Sequence, residues 1–117
     1  MDDPKTVIYY NPRCSKCRTT LKLLQEQGEQ PEVVEYLQAT PSRSELKEVL
    51  SLLGISAGQL LRKKESAYRE AGLDDASSED EILDAMMKHP ILIERPIVVR
   101  DGKAVIGRPP ENVLQIL

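Results

Sequence analysis

The chain has 117 residues and a formal net charge of -3 at pH 7. That length suits a single domain with a buried core, and because Phe and Trp are absent, the core must come from Leu, Ile and Val. An acidic balance gives no reason to expect nucleic acid or an anionic membrane as a partner. No signal peptide or stretch of membrane-spanning length is visible, so we expect a cytoplasmic location.

The first third of the chain predicts a βαβ unit. Thr6–Tyr10 is β-branched and aromatic, which is typical of a buried strand. A helical pattern runs over Ser15–Gln27 and stops before Gly28, which fits the left-handed position after a helix. Glu32–Leu37 predicts a second strand, so the two strands should be parallel with a right-handed crossover.

The middle of the chain, residues 40–90, is predicted to be a helical insert. A first helix is expected over Ser42–Leu53, where Gly54 stops it, and a turn is expected around Gln59–Arg62. A short helix should follow over Glu65–Ala71. The last helix should begin at a capping box that pairs Ser78 with Glu81 and should end at His89-Pro90. At the end of that last helix, His89 is expected to be a cap or a surface residue.

The last third predicts a hairpin and a closing helix. Strands through Pro96–Arg100 and Lys103–Ile106 flank Asp101-Gly102, a two-residue turn that matches strand twist. A short helix is expected over Glu111–Leu117, with Pro110 near its start. The order β-α-β, helical insert, β-β-α predicts one α/β domain over residues 1–117 with a small mixed sheet.

The two cysteines of the chain lie three residues apart in the run Arg13-Cys14-Ser15-Lys16-Cys17-Arg18. Positive charge and a helix N-terminus both lower a thiol pKa. We therefore predict that Cys14, at the first helical turn, is an exposed nucleophile of low pKa. Cys17, one turn further on, is a candidate resolving partner. A CxxC beside a βαβ pattern is a redox signal.

Two other interpretations of the cysteines have weaker support. A structural zinc site needs about four ligands, whereas this chain has two cysteines and the single histidine His89. Two inert buried cysteines would conflict with the charged residues beside them, because charged groups resist burial. No metal site is expected.

Three arginines stand at predicted element ends or in loops, where binding groups are often placed: Arg62, Arg95 and Arg108. Basic residues also outnumber acidic ones in residues 1–20 and 95–108, so folding is expected to bring these segments together around a small anion. Planar guanidinium groups suit the oxygens of a tetrahedral oxyanion. Loops also carry many solvated arginines, so spacing alone leaves their convergence open.

The motifs Asn11-Pro12-Arg13-Cys14, Leu60-Leu61-Arg62-Lys63, Glu94-Arg95-Pro96 and Gly107-Arg108-Pro109 stand in this order along the chain. Together they resemble the glutaredoxin-coupled arsenate reductase family, from about residue 5 to the C-terminus. The resemblance implies a thioredoxin-like, three-layer fold with a helical insert. It also implies that arsenate attaches to the cysteine, glutathione attacks the adduct, and glutaredoxin removes the glutathione as arsenite leaves. No bound cofactor is implied.

The resemblance also assigns roles to individual residues. They are Cys14 as nucleophile, Arg62, Arg95 and Arg108 as oxyanion-binding groups, Pro96 as a cis-proline near the cysteine, and Arg18 as a support of the cysteine loop.

This chain departs from the family pattern at two positions. Cys17 stands where better-known members carry serine, so an internal Cys14–Cys17 disulfide could replace glutathione. Tyr10 stands where they carry a histidine that helps to activate the cysteine. Two alternatives follow: a redox-sensing regulator of the Spx type that binds RNA polymerase, or a thiol-disulfide oxidoreductase with another substrate. The segment Gly107–Glu111 resembles the reductases and favours that class.

Overall fold

The computed structural model describes residues 6–117. The chain forms two compact units, one combining the segment up to Ala39 with Arg95–Leu117, the other consisting of Thr40–Glu94. The second unit covers the helical insert expected over residues 40–90. That the whole chain is a single domain stays a prediction.

The first unit contains a four-stranded sheet in the order β2-β1-β3-β4. The strands are β1 (Thr6–Tyr9), β2 (Glu32–Val34), β3 (Ile97–Arg100) and β4 (Lys103–Ile106). β1 pairs parallel with β2 and antiparallel with β3, and β3 pairs antiparallel with β4. The predicted α/β class with a small mixed sheet is therefore confirmed, and with it the parallel pairing of the first two strands.

The hairpin between β3 and β4 follows from its turn residues. Asp101 has a φ of 50° and Gly102 a φ of 74°. Two consecutive positive φ values are what a two-residue turn needs to match the twist of its strands. The predicted Asp-Gly turn is confirmed.

Helix α1 (Ser15–Glu26) and a closing 3-10 helix (Pro110–Ile116) complete the first unit. They pack against the sheet through the buried side chains of Ile8, Leu24, Val98, Val113 and Ile116. Gly28 has a φ of 85°, as expected for a residue just past a helix end. The closing segment is helical as predicted, in the tighter 3-10 form common in short pieces. The three-layer arrangement stays a prediction.

The second unit is helical. Its elements are α2 (Arg43–Leu53), α3 (Ala57–Leu60), α4 (Ser66–Glu70), α5 (Glu79–Lys88) and a 3-10 turn (Pro90–Leu92). The turn expected over Gln59–Arg62 is wrong for its first two residues, which end α3. A capping box between Ser56 and Gln59 begins this short helix, and that spacing was the missed sequence signal. Among the residues described, no helix has the length and apolar character to cross a membrane.

Candidate active site

Cys14 is the N-cap residue of α1 and has extended backbone angles, φ -91° and ψ 120°. The loop before it is held by Asn11, whose carbonyl accepts from the Cys14 N–H at 2.9 Å and whose Oδ1 accepts from the Arg13 N–H at 3.0 Å. The N–H groups of the first helical turn have no partner within the helix. Those of Lys16 and Cys17 lie near the Cys14 sulfur and help to lower the pKa of its thiol.

The expectation of an exposed Cys14 is wrong, since its residue surface is only 8% exposed. The guanidinium of Arg108 shields part of Cys14 from solvent, because its Nη2 lies 3.9 Å from the Cys14 sulfur. The local pattern around the cysteines could not reveal this contact, which comes from a residue far along the chain.

The pKa of the Cys14 thiol is set by opposing effects. Burial raises this pKa, but hydrogen bonds from the Cys17 backbone and thiol lower it, and the charge of Arg95 adds to them. The lowering effects win, so the pKa lies below the ordinary value of 9.0. A thiolate is the nucleophilic form of cysteine, and this environment favours it.

Cys17 is a different kind of thiol. It is 0% exposed, and burial raises its pKa to about 12, with its hydrogen bond to Cys14 and the Cys14 charge acting in the same direction. Both cysteines are free thiols. Cys17 therefore stays protonated at neutral pH and acts as a hydrogen-bond donor to the Cys14 sulfur.

Arg95 and Arg108 meet beside this sulfur. The Nε of Arg108 donates to the Arg95 carbonyl at 2.7 Å, and the charge of Arg95 acts on Cys14. The Arg95–Pro96 peptide bond is cis, as the resemblance implied. The first unit thus brings Cys14, Arg95 and Arg108 together, and the expected meeting of the two basic segments occurs at Cys14.

Arg62 belongs to the second unit. Its Nη2 forms an ion pair with Glu65 at 2.7 Å and its Nη1 donates to the Ile91 carbonyl at 3.2 Å. Its backbone N–H donates to the Leu92 carbonyl at 2.8 Å. An anion that binds Arg62 must compete with the Glu65 carboxylate for this guanidinium. A shared site with Cys14 stays a prediction.

The structure also describes the other residues singled out from the sequence. Arg18 donates from Nη1 to the Pro12 carbonyl at 2.8 Å, so it contacts the cysteine loop. Tyr10 is partly buried and packs against the core of the first unit. His89 is the C-cap residue of α5, in agreement with the sequence. Among residues 6–117, no group of three or more His, Cys, Asp or Glu side chains could hold a metal ion.

Two residues close to this site were not predicted. Gly107 leaves no room for a side chain, since a Cβ there would clash with Thr20 and Pro96. Asn112 donates two side-chain hydrogen bonds to the segment that carries Arg108. The only sequence signal was the position of Gly107 directly before Arg108. A single asparagine in a helix carries no such signal.

The chain is similar to known proteins over almost its whole length. A profile of the ArsC family matches residues 9–116. The "Uncharacterized protein YfgD" of Escherichia coli K12 is 54% identical over 112 residues, which is 94% of each chain. An arsenate reductase of Neisseria meningitidis serogroup B is 47% identical over 116 residues, covering 97% of this chain and 99% of that protein. The solved structure of an arsenate reductase from Vibrio cholerae is 49% identical, covers 99% of this chain and 100% of its own, and superposes with a TM-score of 0.94.

Proposed function

The chain belongs to the ArsC family, and we propose that it is an arsenate reductase whose nucleophile is the Cys14 thiolate. The observation that carries this proposal is the environment of one sulfur atom. Cys14 lies at a helix N-terminus with a lowered pKa and with two arginines beside it. Such a site favours both a reactive thiolate and a bound oxyanion.

The first step joins two anions, so it needs positive charge. Arg95 and Arg108 bind arsenate oxygens and offset the repulsion between the thiolate and the substrate. Arg62 is proposed as the third oxyanion-binding residue. The Cys14 sulfur attacks arsenic, an S–As bond forms, and one arsenate oxygen leaves as water after it is protonated.

The second step moves electrons. Reduction of arsenic(V) to arsenic(III) takes two electrons, and these come from two thiols that end as one disulfide. We propose glutathione as the second thiol. Its sulfur attacks the Cys14 sulfur, the S–As bond breaks, and the electron pair of that bond stays on arsenic, which leaves as arsenite; glutaredoxin then removes the glutathione from Cys14. This chemistry requires a reduced thiol pool, so the proposed location is the cytoplasm.

A second route stays open because Cys17 is hydrogen-bonded to Cys14. In that route the Cys17 sulfur attacks Cys14, arsenite leaves, and a Cys14–Cys17 disulfide remains for an external reductant. Burial raises the pKa of Cys17, which counts against this route because little thiolate is present at neutral pH.

The test is arsenate-dependent consumption of NADPH in a coupled assay with glutathione, glutaredoxin and glutathione reductase. The expected result is turnover that requires both arsenate and glutathione. A Cys14→Ser variant should show none, because a neutral hydroxyl lacks the nucleophilicity of a thiolate. Retained turnover in that variant would contradict the proposal. Thiol oxidation without arsenate would favour the oxidoreductase alternative.

A further inference from the structure

The segment from Ile106 to Pro109 determines where Arg108 points. Arg108 follows the end of β4, and its Nε is held by the Arg95 carbonyl at 2.7 Å. Its Nη2 lies 3.9 Å from the Cys14 sulfur. Because the guanidinium stands at the end of a long side chain, a small rotation of the Arg108 backbone would displace it from that sulfur.

Asn112, in the closing 3-10 helix, holds this segment from one side. Its Nδ2 donates to the Ile106 carbonyl at 3.2 Å and to the Arg108 carbonyl at 3.0 Å. Its backbone N–H donates to the Pro109 carbonyl at 3.0 Å. An amide group carries two N–H donors, so one side chain contacts the carbonyls on both sides of Gly107.

Gly107 gives the segment a second set of contacts. Its N–H donates to the Pro96 carbonyl at 2.9 Å. A Cβ atom at this position would lie 2.8 Å from Thr20 Oγ1 and 2.9 Å from Pro96 Cγ. The Cα of Gly107 therefore faces Thr20 of α1 and Pro96, just before β3, and has little room to shift in that direction.

We propose that Asn112 is a positioning residue for the reductase site, acting through Arg108 to direct its guanidinium at Cys14 and at the bound oxyanion. The expected effect on arsenate binding rests on the proposed function. The expected effect on the reactivity of Cys14 rests only on the contact between Arg108 and the sulfur, and it can be measured without arsenate.

The test compares Asn112→Leu and Asn112→Asp with wild type. Leucine removes both donors, and aspartate keeps the size while placing an oxygen acceptor against two carbonyl oxygens. Gln115→Leu, at an exposed position of the same 3-10 helix, is the matched control. The measurements are KM and kcat for arsenate, and the pH dependence of Cys14 alkylation by iodoacetamide. The groups that face the Cys14 thiol are Arg95, Arg108 and Cys17.

We expect KM to rise about tenfold in both Asn112 variants with a smaller change in kcat, because a misdirected arginine loses oxyanion binding. Half-maximal alkylation of Cys14 should move to higher pH, because a displaced guanidinium no longer stabilises the thiolate. The control should match wild type. Unchanged KM and alkylation in folded Asn112 variants would overturn the proposal, and so would failure of both variants to fold.

Repeating Asn112→Asp in an Arg108→Lys background separates positioning from a general effect on stability. If Asn112 acts through Arg108, Asn112→Asp should raise KM little further once Arg108 is already lysine. Additive effects of the two substitutions on KM would contradict the proposal. If wild type does not reduce arsenate but the Asn112 variants still shift Cys14 alkylation, the proposed function fails and the positioning role stands.

Discussion

The Nη2 of Arg108 lies 3.9 Å from the sulfur of Cys14, although 94 positions separate the two residues in sequence. The contact links the loop after the hairpin to the N-terminus of α1. It places a permanent positive charge beside the Cys14 sulfur. The chemistry of Cys14 therefore depends on a residue near the other end of the chain.

Arg108→Lys should lower kcat/KM for arsenate by about tenfold or more. Arginine uses Nε for the Arg95 carbonyl and Nη2 for the sulfur, and the single amino group of lysine cannot reproduce both contacts. Steady-state assays measure kcat/KM, and Arg69→Lys, at an exposed position, is the control. Equal kcat/KM values in the two variants would exclude a specific role for the Arg108 guanidinium.

The two thiols should differ in their pH-dependent reactivity. The pKa of Cys14 lies below 9.0, so its thiolate fraction, and with it the alkylation rate, should reach half of the maximum below that pH. Cys17, with its pKa raised to about 12 and its side chain buried, should stay unmodified in the folded protein. Iodoacetamide labelling followed by peptide mass spectrometry measures both sites, and the urea-unfolded protein serves as the control. Faster labelling of Cys17 than of Cys14 would contradict this order.

Cys17→Ser distinguishes the two reductant routes. Because glutathione is proposed as the second thiol, glutathione-dependent turnover should stay within about threefold of wild type, with the serine hydroxyl replacing the thiol as a hydrogen-bond donor. Mass spectrometry of the enzyme during turnover provides a second readout. A stalled Cys14 adduct in this variant, with a Cys14–Cys17 disulfide in wild type, would instead identify Cys17 as the resolving thiol.

Gly107→Ala should destabilise the protein by about 1–3 kcal/mol, because a new Cβ would be forced against close-packed neighbours. Its nearest contacts would be Thr20 Oγ1 at 2.8 Å and Pro96 Cγ at 2.9 Å. Gly58→Ala is the matched control, since a Cβ there would meet no atom closer than 3.8 Å. Urea unfolding measures both variants. Equal free energies of unfolding for the two would show that the packing at Gly107 can relax.

Much of the secondary structure could be predicted because its signals are local. The capping box of Ser78 with Glu81 begins α5, and Asp101-Gly102 forms the hairpin turn with two positive φ values. The short helix α3 was missed although Ser56 and Gln59 show the same kind of capping pattern. Four residues are too few for a hydrophobic period to be visible, so the cap was the only signal available.

The sequence by itself determined the main helices, the strands except for residues 35–37 of the predicted Glu32–Leu37, and Cys14 as the thiol of lowered pKa. These features follow from caps, turns, charges and hydrophobic periods that act over a few residues. The tertiary structure alone decided that Cys14 is 8% exposed, that Arg108 is its neighbour, and that Asn112 holds the Arg108 segment. These relationships depend on how α1, the hairpin and the closing helix pack together. Packing joins side chains that are far apart in sequence, and no local pattern encodes the distance between them.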